Sequence, residues 1–93
     1  MRTRICRLLA RLIYRLACRA AYHHFDRAVA ITRRRYDDAC ATIVDADYRA
    51  RSDAALDTYM VAYNAAALAR LDALSAAYII YMVTLDDCGV LTR

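Results

Sequence analysis

The chain has 93 residues, 61% of them hydrophobic, with 20 alanines, one glycine and no proline. That length suits one small domain, and that composition excludes collagen-like, linker-like and low-complexity disordered chains, which need Gly, Pro or high polarity. It also argues against all-β folds, whose frequent turns want Gly, Asn, Asp and Pro, so the expectation is an all-α antiparallel bundle of long Ala-rich helices, completed by dimerisation.

The first predicted helix covers residues 3–21, with Thr3 as N-cap. Arg4, Arg7, Arg11, Arg15 and Arg19 follow one another at helical spacing. Ile5, Leu8, Leu9, Leu12, Ile13 and Leu16 form an apolar stripe beside them. A second stripe, Phe25, Val29, Tyr36, Cys40 and Ile43, projects to the opposite side at ~100° per residue. The opposition predicts a break near Tyr22-His23-His24-Phe25, with Asp26 capping a second helix over residues 26–50; the alternative is one long helix that faces different partners at its two ends. Five pairs at i,i+4 spacing mark a solvated face: Arg33–Asp37, Arg34–Asp38, Asp45–Arg49, Asp47–Arg51 and Arg49–Asp53. Ser52-Asp53 reads as a stop followed by a new N-cap.

The third predicted helix covers residues 53–88. Leu56, Met60, Tyr63, Ala67, Leu71, Leu74, Tyr78, Met82 and Leu85 recur every three or four residues. Gly89 is expected in the left-handed C′ position, with Val90 touching Leu85 in a Schellman ending. Asn64 is the one expected interruption. Unbroken, this helix would extend about 54 Å at 1.5 Å per residue. It would need a partner along its whole length, most simply a second copy of the chain. Leu12, Leu16, Met60, Leu71, Leu74 and Met82 are the residues expected to carry self-association.

Charge is divided unevenly. Residues 1–35 hold ten arginines and one aspartate, a net +9, and residues 36–93 carry a net −5. The basic segment, interleaved with Tyr14, Tyr22 and histidines, makes Arg4, Arg7, Arg11, Arg15 and Arg19 a candidate anion-binding row for nucleic acid or an anionic membrane surface. The competing expectation is that these arginines meet aspartates of the later helices. No signal peptide is evident, because arginines interrupt the N-terminal apolar residues. The longest uncharged apolar stretch, Ala73–Leu85, has 13 residues, against about 20 for a membrane span. The corresponding expectation is a cytoplasmic chain when expressed in cells.

Cys6, Cys18, Cys40 and Cys88 lack C-x-x-C spacing and are expected as small buried apolar residues, an inter-helix disulfide being the alternative. His23 and His24 diverge by ~100° on a helix, a poor arrangement for one metal ion. Neither Ser52 nor Ser75 has a base at a telling spacing. Asp37-Asp38 and Asp86-Asp87 point apart. No catalytic residue, metal site or cofactor is expected. In size and helical class the chain resembles the helical chorismate mutases, three helices per chain in an interlocked dimer. That family binds a dicarboxylate with several arginines, and the enzyme alternative places arginines such as Arg11, Arg15 and Arg51 around an anionic small molecule in an interhelical cavity. The family also uses Lys, Glu and Gln in its site, and this chain contains none, so the resemblance is confined to architecture.

The missing residues are the sharpest signal. Every cation is Arg and every anion Asp, and Lys, Glu, Gln and Trp are absent. Helix physics would welcome Lys, Glu and Gln. These four types are encoded only by purine-ending codons, whereas every type present except Met (positions 1, 60 and 82) has a pyrimidine-ending codon. Read in register on the opposite strand, such codons begin with a purine and so avoid stops. The expectation is an artificial, coding-constrained helical bundle with no evolved activity, and the alternative is a deliberately reduced alphabet.

Overall fold

The computed structural model describes residues 2–43 and 47–91, and for Val90 and Leu91 the backbone only. Its elements are two long helices, α1 (Arg2–Ala41) and α2 (Tyr48–Leu91), and no strand occurs among the described residues. The protein is all-α. Alanine is the best helix former, and nothing inside either helix except Gly89 opposes it.

Of the two expected arrangements, two long helices form rather than three shorter ones. α1 continues through Tyr22-His23-His24-Phe25, and Asp26 is an interior residue rather than a cap. Thr3 likewise lies inside the helix, which begins at Arg2. The chain leaves α1 after Ala41, where the Thr42 hydroxyl donates to the Ala39 carbonyl at 2.9 Å. The Ile43 amide donates to the Cys40 carbonyl at 3.3 Å in a tightened last turn. α2 starts earlier than Ser52-Asp53. The Asp47 carbonyl accepts the Arg51 amide at 3.0 Å, the first bond of the new helix, so Asp47 stands at the N-cap, a position aspartate favours. Asn64 does not interrupt α2. Gly89 is helical, without positive φ, so no left-handed ending forms there. Asp45 and the Val90 side chain, invoked above for an ion pair and a Schellman contact, lie outside the described residues.

The chain divides into two compact units, residues 1–23 with 70–93 and residues 24–69. In the first, Cys6 is disulfide-bonded to Cys88, with Cα atoms 5.8 Å apart. Tyr14 stacks on Tyr81 at 4.9 Å and meets Tyr78 edge-on at 6.3 Å. The Arg70 guanidinium lies over the Tyr22 ring at 5.6 Å. Partner numbers fall as the α1 number rises. In the second unit Phe25 meets Tyr63 at 5.7 Å and Tyr36 meets Tyr59 at 5.5 Å, with Tyr59 stacked on Tyr63. Each such ring pair contributes roughly 0.5–1.5 kcal/mol beyond its area burial.

The covered positions obey a rule that the apolar stripes do not. In α1 they recur every eleven residues: Cys6, Ala17, Ala28, Ala39; Ala10, Ala21, Thr32; Thr3, Tyr14, Phe25, Tyr36. α2 repeats the rule with Ala55, Ala66, Ala77, Cys88 and with Tyr59, Arg70, Tyr81. Eleven residues make three turns at 3.67 per turn, close to the natural helical period. A row of this kind therefore stays on one side of the helix with little drift. The most deeply buried of the described residues are small: Ala10, Ala21, Ala77 and Cys88. This resolves the opposed stripes of α1. Phe25, Val29, Tyr36 and Cys40 belong to the covered rows, while the aliphatics of residues 5–16 turn outward, so no break is needed.

Two outcomes follow. Ala21, only 5% exposed, is a position where added bulk must push the packing apart. Ala21→Leu should lower unfolding free energy by about 1–3 kcal/mol in urea titrations followed by circular dichroism, and a neutral result would contradict the close packing. Reducing the Cys6–Cys88 bond, which spans 82 positions, should cost ~4 kcal/mol in the loop-entropy account. An unchanged melting temperature in dithiothreitol would show that the bond contributes nothing.

Candidate interaction surface

Packing by small residues leaves the large ones outside. In the first unit Ile5, Leu8, Leu9, Leu12, Ile13 and Leu16 are each more than half exposed. On its other segment Leu71, Ile79, Ile80 and Val83 are exposed to a similar degree. In the second unit Leu56, Met60, Val61 and Leu68 are exposed. Of the residues expected to carry self-association, Leu12, Leu16, Met60, Leu71 and Met82 are exposed and Leu74 is half-buried. Ile79, Ile80 and Val83 were not singled out from sequence. Their signal was present as a run of uncharged residues, but a periodic stripe through Tyr78, Met82 and Leu85 drew attention away from it.

Arg4, Arg7, Arg11, Arg15 and Arg19 are all exposed. Arg4, Arg7 and Arg11 border one surface depression of about 380 Å³ together with Thr3 and Leu8. Taken at ~100° per residue, the arginine row lies about 100° around α1 from the middle of the aliphatic stripe. Buried Ala10 and Ala21 lie on the far side. α1 in this unit thus has three longitudinal faces: a covered one of small residues and Tyr14, an arginine flank, and an aliphatic stripe open to solvent. No acidic residue occupies its first turn, so nothing acidic there offsets Arg2 and Arg4 at the positive end of the helix dipole.

Arg11 and Arg15, in the first unit, and Arg51, in the second, are all exposed. A cavity of about 80 Å³ in the first unit is lined by Ala10, Ile13, Tyr14, Ala17, Ala77, Ile80, Tyr81 and Thr84, with no charged side chain. One of about 160 Å³ in the second has Arg35 as its charged lining residue. Among the described residues no group of three or more His, Cys or Asp side chains could hold a metal ion.

The cysteines depart from the expectation of four buried thiols. Cys6 and Cys88 are cross-linked, while Cys18 and Cys40 are free and half-buried. Each free thiol sits one turn after a tyrosine. The hydrogen bond between Tyr14 and Cys18 is the main cause that raises the Tyr14 phenol above its ordinary value, with burial adding to it. Tyr36 is raised in the same way, first by its hydrogen bond to Cys40. This repeated Tyr-x-x-x-Cys pairing was legible as spacing and was missed.

α2 is long and apolar enough to cross a membrane by length and composition; its best 18-residue window has mean hydropathy 1.4 and is 6% buried. Compared with known proteins, the chain matches no family model, no curated protein and no solved structure.

The tyrosine shifts have a measurable consequence. A phenol raised in the folded state favours the protonated form, so its stabilising contribution is complete below the ordinary phenol value near ~10 and is lost as pH rises through the folded value. Spectrophotometric titration at alkaline pH should show a late-ionising class of tyrosines that disappears in Cys18→Ala with Cys40→Ala. A single unshifted class in the wild-type chain would contradict the hydrogen bonds.

Proposed function

We propose that the chain is a structural, self-associating helical protein with no evolved catalytic activity. In this reading the helical segments of each unit pair antiparallel, and a second copy covers the remaining aliphatic face. The observation that carries it is the exposure of the aliphatic residues. Ile5, Leu8, Leu12 and Leu16 at 52–55% exposed form a continuous stripe, and contiguous apolar patches beyond a few hundred Å² mark interaction sites in soluble proteins. Leu12 and Leu16 of one copy against the same stripe of another make a self-complementary contact, as two-fold dimers require.

The alphabet supports an artificial origin in which coding constraints, rather than selection for a reaction, chose Arg and Asp as the charged pair. The encoding DNA tests this. Frequent third-position purines outside the three Met codons would refute the coding constraint and leave the reduced alphabet as the account.

Sedimentation equilibrium at micromolar concentration should show a dimer. Leu12→Ser with Leu16→Ser should weaken it by about 2–4 kcal/mol, from ~25 cal/mol per Å² of apolar surface no longer covered. A wild-type chain that stays monomeric throughout would refute the proposal.

A further inference from the structure

We infer that the α1 face of the first unit is a docking surface for an anionic lipid bilayer, which takes the place of the second copy on the same stripe. The inference rests on the preceding reading only in assigning that stripe to association. Two independent features of the face converge. The first is charge: Arg4, Arg7 and Arg11 border one depression, Arg15 and Arg19 continue the row, and all five are exposed. The second is an aliphatic stripe, Leu8, Leu12 and Leu16 with its neighbours, more than half exposed directly beside that row. A helix lying in a membrane interface needs both at once. Its apolar face enters the acyl boundary while long cationic side chains reach back to the phosphate level.

A nucleic acid would use the arginines and leave the leucines in water, so the lipid surface accounts for more of the face. The arginines keep α1 at the interface rather than across the bilayer, because a charged side chain at the bilayer centre is costly. An anionic surface also supplies the negative charge that the first turn of α1 lacks.

The test uses the full-length, disulfide-bonded chain and co-sedimentation with phosphatidylcholine vesicles with and without phosphatidylserine. Binding should be at least about tenfold tighter with phosphatidylserine, given ~1 kcal/mol per arginine near such a surface. It should weaken between about 0.1 M and 1 M salt, a readout that needs no variant. Arg4→Ser with Arg7→Ser and Arg11→Ser should remove most of it, and Leu8→Ser with Leu12→Ser should do the same. Both sets change exposed positions, and circular dichroism checks that they stay helical. Equal binding to both vesicle types, or indifference to either set of changes, overturns the inference. So does tight binding of a DNA duplex that ignores Leu8→Ser and Leu12→Ser and displaces the vesicles, which would assign the row to nucleic acid. Sedimentation without lipid reports self-association separately. A monomeric chain that still binds phosphatidylserine vesicles refutes the dimer and upholds the bilayer surface. If the dimer forms, energy transfer between copies labelled at the amino terminus should fall on vesicles, and undiminished transfer overturns the shared face.

Discussion

Close approach of two helices along rows of small side chains is the constraint from which the other features follow. Cys6 and Ala17 on one segment, Ala77 and Cys88 on the other, place minimal bulk between the backbones of the first unit. Alanine gives little hydrophobic free energy of its own, since it buries little area. The cohesion comes instead from the rings beside the rows, Tyr14 with Tyr81 and Tyr78 in one unit, Phe25 and Tyr36 with Tyr63 and Tyr59 in the other. Flat rings fill the shallow groove left beside an alanine row, whereas branched aliphatics would hold the helices apart. Leucine and isoleucine are thereby displaced outward. The hydroxyls of Thr58 and Thr84 meet no such obstacle, bonding the Ala54 and Ile80 carbonyls one turn back at 3.0 and 2.7 Å.

Helical class was legible because it rests on local propensity, and Ala, Leu and Arg supply that throughout. The connection was not. Tyr22-His23-His24-Phe25 looked like a junction only on the assumption that the most hydrophobic face must be the covered one. Once small residues do the packing, Phe25 and Val29 share rows with Tyr14 and Cys18, and the apparent conflict between stripes disappears. The real connection follows Ala41, where Thr42 and Asp47 offer the hydroxyl and the cap that local turns use. Gly89 misled for a related reason. A glycine near the end of an apolar pattern usually stops a helix, yet here the chain continues in helical geometry to Leu91.

The candidate surface was half legible. The arginine row stood out as spacing, and its exposure agrees with the pattern. The neighbouring aliphatic stripe was identified as well, with its Leu12 and Leu16 assigned to self-association. Which face of an amphipathic helix is covered depends on the partner helix, and no single-segment pattern contains that information. The eleven-residue recurrence was the available clue, because it occurs in both helices and selects Ala, Tyr and Cys rather than Leu. The arrangement puts cationic and aliphatic groups on one continuous exposed arc, the combination that distinguishes an interfacial helix from one that is merely solvated.

A row that repeats itself every eleven residues is nearly blind to sliding. Moved by one repeat, Cys6 would face Ala77 instead of Cys88, small still against small. Tyr14 would face Arg70 instead of Tyr81, a contact of the kind Arg70 already makes with Tyr22. Non-covalent chemistry therefore separates neighbouring alignments only weakly, and near-degenerate packings are the mark of an under-specified sequence. The Cys6–Cys88 bond breaks that degeneracy in the first unit, since sulfur can bond only with sulfur and each helix brings one cysteine to the row. Its value lies less in strength than in choosing one alignment among several, so that thiol oxidation acts as the vernier of the assembly.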